Sequence, residues 1–292
     1  MLTAFALCRF LGYSASVLLF GVSTMLALSG SRSLSLSVQS DLHRLLRCTA
    51  IVGVVAVFCL LPLQTASIAD DWLAMVDADL LSTVAFQTRY GQGWCLRALA
   101  VMGVLALMLR GRPDNAWLRA AVAGLALASL SLTGHAAMQS GWIGVAHTAN
   151  DALHALAAGF WLGSLPVFLG FLKRWQEPAR RKDATRALMR FSTAGHAAVA
   201  VLLLSGAVNT WMILSPTGLD VTSLYLQLLL IKAALALAMV ALAVFNRYRW
   251  IPSIRSRRDL AVYRIRRNTI LELWAGGAVL LLVGFLGLLS PS

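Results

Sequence analysis

An all-α, polytopic transmembrane bundle of about eight spans, with both termini periplasmic, is the fold class this sequence predicts. Three observations predict it. Hydrophobic residues make up 59% of the 292 positions and charged ones only 13%, more apolar surface than a soluble domain can hide. Apolar runs recur at about 8–28, 47–66, 94–110, 116–135, 148–171, 189–212, 224–246 and 269–289. Each is near the ~20 residues a helix needs to cross a bilayer. Finally, the basic residues fall almost entirely into alternate connections.

The connections after the first, third, fifth and seventh runs hold 21 of the 25 Lys and Arg. Arg32, Arg44 and Arg47 follow the first run, and Arg110, Arg112 and Arg119 the third. The largest clusters lie at 173–190 and 247–267. The opposite connections hold only Arg89 and Arg97, while Arg9 and Lys232 stand inside spans. Because positive connections stay cytoplasmic, both chain ends are expected on the periplasmic side. The net charge of +13 is thus a topology signal, and no nucleic-acid partner is expected. The lipid bilayer is the expected surround, and residues 1–292 are expected to form a single integral membrane domain.

The first run is expected to remain as a helix. Residues 27–29, "ALS", resemble a cleavage site, but Arg9 interrupts the apolar stretch and no positive charge precedes it. Cys8, Cys48, Cys59 and Cys95 form no CxxC pair, so they are expected to pack as small apolar residues; Cys59–Cys95 is the one candidate bridge. The longest stretch between spans, 66–94, carries Asp70, Asp71, Asp77 and Asp79 and has room for a short surface helix. The 247–267 connection is a juxtamembrane basic segment suited to anionic lipid.

Ligand-capable groups concentrate in one window. Residues 133–163 read "TGHAAMQSGWIGVAHTANDALHALAAGFWLG" and contain His135, His147, Asp151 and His154. The predicted topology makes this a helical hairpin with its mouth on the periplasmic side. His147 and Asp151 are i,i+4, and Asp151 and His154 are i,i+3, so all three share one stripe. His147 and His154 are ~10 Å apart along the axis, too far for one ion with metal–nitrogen bonds of about 2 Å. Two arrangements stay open. Either His147 pairs with His135 and leaves Asp151 and His154 as a deeper site, or Asp151 orients an imidazole through its other ring nitrogen. His196, two turns into the next span, would extend the ladder inward.

Blander readings compete. A lone buried histidine in a bundle is usually a hydrogen-bonded packing residue, and an Asp–His pair can be purely structural. That pairing still leaves one histidine over, and ionisable groups within spans usually mark a pathway or a pair. Met138 and Met212, at the outer rim, offer thioethers but are as well suited to filling space. Lys232 is expected to snorkel or to neutralise an aspartate, with Asp151 a candidate. Glu272 is expected to pair with an arginine near the inner surface.

"TGHAA", "HTANDALHALAAGFWLGSL", "ALMRFSTAGHAAVAVLLLSGAVNTW", "LLLIKAALALAMVALAVFNRY" and the acidic residue opening the last helix together resemble the copper resistance protein D family (CopD, PcoD). The likeness runs from about residue 85 to the end; Ser164 stands where the family commonly has a second glycine in W-L-G-G-L. The resemblance implies a bacterial inner-membrane protein of copper homeostasis, moving copper from periplasm to cytoplasm. It also implies a separate periplasmic copper-binding partner of the CopC type. Only the resemblance selects copper, because zinc or nickel suits the same imidazole and carboxylate groups. No nucleotide-binding or phosphorylation motif is visible, so an ion permease is expected rather than an enzyme. Two alternatives remain: a haem b redox protein with His154 and His196 as axial ligands, and a non-transporting copper sensor or scaffold.

Overall fold

A computed structural model describes residues 1–110, 115–134, 140–215 and 222–289. Among these the chain is almost entirely helical, without strands. In a bilayer every backbone N–H and C=O must be satisfied within its own segment, so long apolar stretches become helices. Seven are long and apolar enough to cross: α1 (Leu2–Leu28), α2 (Arg32–Ala69), α4 (Arg89–Leu109), α6 (Gly141–Trp175), α7 (Arg181–Leu214), α8 (Leu224–Phe245) and α10 (Arg258–Leu286). The eighth element, α5 (Ala116–Ala128), is shorter and continues as a 3₁₀ turn over Ser129–Leu132. The acidic connection holds a 3₁₀ turn (Trp72–Val76) and α3 (Ala78–Gln87), and α9 (Ile251–Ser253) is a single turn.

Several helices overrun their apolar runs at the end that carries the basic connections. α2 starts at Arg32 rather than near 47, because its polar first turns are gripped by a neighbour. Arg174 of α6 donates to Ser37 Oγ (2.7 Å), the Ser37 carbonyl (3.1 Å) and Asp41 (2.9 Å). Arg190 of α7 caps the end of α1 through the Leu28 carbonyl at 3.1 Å. At the opposite end, side-chain caps start the helices: Thr88 Oγ1 accepts from Gly91 N–H at 3.0 Å, and Ser223 Oγ accepts from Leu226 N–H at 3.3 Å.

α1 is the central post, packing against α2, α5, α6 and α10. It meets α6 where Gly21 lies on Gly159 and Gly163. A Cβ at Gly163 would collide with the Val17 carbonyl, and one at Gly21 with the Gly163 backbone. Small residues four apart let two backbones approach closely, the usual basis of helix packing in lipid. Arg97 of α4 is buried and donates to Ser129 Oγ (3.3 Å), the Ser129 carbonyl (3.0 Å) and Thr133 Oγ1 (2.7 Å). It thereby satisfies a carbonyl freed where α5 tightens into its 3₁₀ turn. α7 and α8, by contrast, expose most of their surface, as lipid-facing helices do.

The four cysteines are free; Cys8 Sγ contacts the Ala56 carbonyl and Cys95 Sγ the Ala85 carbonyl. Glu272 departs from expectation. It accepts from an amide, Asn246 Nδ2 at 3.3 Å, rather than from a guanidinium. The basic side chains nearby turn to the surface or onto aromatic rings: Arg247 and Arg249 are exposed, and Arg264 stacks on Trp250.

Membrane orientation rests on the charge asymmetry and has a direct check. A cysteine replacing Lys182 or Arg255 is expected to stay unlabelled by an impermeant thiol reagent in intact spheroplasts and to react after lysis. Labelling in intact spheroplasts would invert the arrangement.

Candidate functional site

α6 carries the stripe on one face, and the residues that hold it come from α7. Asp151 Oδ1 accepts from Asn209 Nδ2 at 2.9 Å. Asn150, the next residue back on α6, donates to Asn209 Oδ1 (2.6 Å) and to the Ser205 carbonyl (2.9 Å). His154 Nδ1 stands 3.1 Å from both the Leu202 carbonyl and Ser205 Oγ. A carbonyl can only accept, so Nδ1 carries the hydrogen and Nε2 keeps its lone pair. That is the tautomer in which imidazole binds a metal through Nε2 while a second partner fixes the ring. Gly206 makes the room: a Cβ there would lie 3.0 Å from His154 Cε1.

Charge is placed beside the same groups from α8. Lys232 is in electrostatic range of both Asp151 and His154, and Tyr225 of Asp151. His147 is 2% exposed, two turns into α6 and one turn before Asp151. Met212 is half-buried at the far end of α7. His135 and Met138 lie outside the described residues.

His196 is placed differently. It is exposed on α7, six residues or about 9 Å nearer the basic end than Leu202. Its Nδ1 stands 2.5 Å from the Ser192 carbonyl of its own helix, and its Nε2 is 3.4 Å from the Tyr248 hydroxyl. His154 turns into the α6–α7 seam while His196 turns towards Tyr248, so the two do not face a common centre. An axial haem pair at these positions is not supported.

Among the described residues no three His, Cys, Asp or Glu side chains gather closely enough to enclose one ion. Asp151 and His154 instead lie in a polar seam with Asn150, Asn209 and Ser205. "ND" at 150–151 and "SGAVN" at 205–209, with polar or small groups at 205, 206 and 209 on one face of α7, are the sequence signal for that seam. Ser164 is accommodated locally: its hydroxyl folds back onto the Phe160 and Trp161 carbonyls of its own helix.

Comparison with known proteins supplies what the geometry leaves general. Residues 1–145 match the model of the copper resistance protein D-like N-terminal domain, and residues 185–286 match copper resistance protein D. Copper resistance protein D of Pseudomonas syringae pv. tomato is 34% identical, over 97% of this chain and 95% of that protein. The chain belongs to the copper resistance protein D family. Other relatives include the inner membrane protein YebZ of Escherichia coli (strain K12), 29% identical over 97% of both chains. Copper transport protein CutJ of Bacillus subtilis (strain 168) is 28% identical over 79% of this chain and 43% of its own length. No solved structure matches. In this family member the α7 half of the seam falls within the second matched stretch, whereas His147, Asp151 and His154 lie between the two.

Proposed function

We propose that this protein moves copper across the bacterial inner membrane, from periplasm to cytoplasm. The ion would be captured at His135 and His147 and passed to Asp151 and His154. The observation that carries this reading is the α6–α7 seam. It is a carboxylate and an imidazole Nε2 inside a membrane bundle, each oriented by a partner from α7. Ionisable groups in that setting are costly and mark ion pathways. The relatives named for copper supply the cargo, and the name of YebZ supports the inner-membrane location. Ligands strung one step apart hold an ion loosely enough to pass it on, as conduction requires. Copper would be handed over by a periplasmic CopC-type protein docking at the acidic end.

Uptake of copper into proteoliposomes of the purified protein tests the reading. Accumulation above protein-free vesicles is expected; copper binding without accumulation would make the protein a sensor or scaffold. His196, exposed near the basic end, would act in delivery. His196→Ala is expected to leave copper binding unchanged while slowing uptake severalfold. Unchanged uptake would remove His196 from the path.

A further inference from the structure

Glu272 of α10 is 2% exposed and has no part in the copper path. Asn246 donates to its Oε1 at 3.3 Å, Asn268 Nδ2 donates in turn to Asn246 Oδ1 at 2.9 Å, and the Trp161 indole faces the same carboxyl. Asn246 opens a π-helical turn, Asn246–Trp250, that follows α8. Such turns re-aim side chains and recur at functional sites. The charged groups of the elements packed on α10 are engaged elsewhere. Arg9 of α1 donates to the Gly287 carbonyl, Lys232 of α8 stands by Asp151 and His154, and Arg174 of α6 binds Asp41. Arg247 and Arg249 of the π turn are exposed, and α9 has no charge. On α10 itself, Arg264 stacks on Trp250 and Arg258 on Trp175, while Arg266 and Arg267 are exposed. The donors around Glu272 are therefore neutral, and its ionised form gains no counter-charge from them.

Trp161 links this cluster to the path. It lies seven residues beyond His154 on α6, two turns along the same face and ~10 Å away. A cation held at Asp151 and His154 supplies the missing positive charge. At a separation on the order of 10 Å, such a charge favours a carboxylate by about tenfold per unit charge.

We propose that Glu272 is a proton-carrying group linked to copper occupancy: its carboxyl loses a proton when an ion enters the α6 stripe and regains one when the ion leaves. The O–H bond breaks, its electron pair stays on the carboxylate, and the proton passes to water at the basic end, five residues away along α10 at Arg267. Copper and proton thus oppose one another, the elementary condition for driving one with the gradient of the other. The inference rests on the copper-path reading and is separable from it.

Infrared difference spectra of the purified protein, with and without copper, test it alongside proton release in weakly buffered detergent solution. In the wild type, copper is expected to remove a protonated-carboxyl C=O band. Glu272→Gln should bind copper, lack that band change and release about one proton fewer per ion. Glu272→Asp should displace the band, which assigns it even if the Gln variant does not fold. Copper binding with no carboxyl change, or equal proton release from wild type and Glu272→Gln, overturns the proposal and leaves the path standing. Wild-type protein that binds no copper overturns both.

Discussion

Copper uptake into vesicles is expected to fall about tenfold or more in His154→Ala, while the protein still inserts and folds. Among the described residues of the seam, the imidazole and the Asp151 carboxylate are the groups suited to bind a metal, and the imidazole ring is fixed by the Leu202 carbonyl and Ser205. Alanine leaves a small void beside Gly206 and removes the Nε2 lone pair altogether. His147→Ala is expected to act in the same direction at the mouth. Asn209→Ala should weaken copper binding by ~10-fold without removing a proposed ligand, because Asp151 then loses an amide that orients it. His43, exposed near the basic end of α2, is the control, and His43→Ala should transport normally. Uptake by His154→Ala within twofold of the wild type would take the seam out of the path.

Gly163→Ala is expected to cost about 3 kcal/mol or more of stability, although it adds only one methyl group. The added carbon meets the Val17 carbonyl, and neither backbone can yield without separating α1 from α6. Since α1 also carries α2, α5 and α10, the loss spreads through the bundle. Gly277→Ala, whose new carbon would meet nothing within 4 Å, is the matched comparison and should be neutral or slightly stabilising. Thermal unfolding in detergent reads both. Equal melting temperatures would mean that the α1–α6 contact is not a fixed point of the fold.

The bundle itself was legible in the sequence because bilayer crossing imposes length and apolarity on each segment: seven of the eight apolar runs became helices long enough to cross, and the run at 116–135 became the shorter α5. Helix ends were not. The basic-end extensions of α2 and α6 depend on Arg174 reaching Ser37 and Asp41, more than 130 residues away in the chain. The α6 stripe was readable from spacing, since 147, 151 and 154 share a face whatever surrounds them. Its α7 partners were harder to read, because "SGAVN" resembles ordinary small-residue packing until Asn209 is seen against Asp151. His196 shows the limit of depth arguments. Its height along the bundle is near that of a relay residue, but helix rotation turns its ring to Tyr248. Rotation is set by packing, which a single span does not encode. Glu272 pairs with an amide rather than an arginine for a similar reason: the π turn at Asn246 rotates that side chain inward.

The short helix α5 bears on the medium that an entering ion would meet. Thirteen α-helical and four 3₁₀ residues measure about 27 Å, less than the ~30 Å hydrocarbon thickness of a typical bilayer. Thinning the bilayer beside a span this short draws the lipid headgroups inward, at a cost of fractions of a kcal/mol per Å. Water follows the headgroups, and a bilayer thinned in this way carries a dimple beside the short helix. For a cation the barrier to entry is the self-energy of leaving water for a low dielectric, and that barrier begins only at the floor of the dimple. For a copper ion moved by this protein, the stretch crossed without hydration would then be set by the shortest helix in the molecule rather than by the longest.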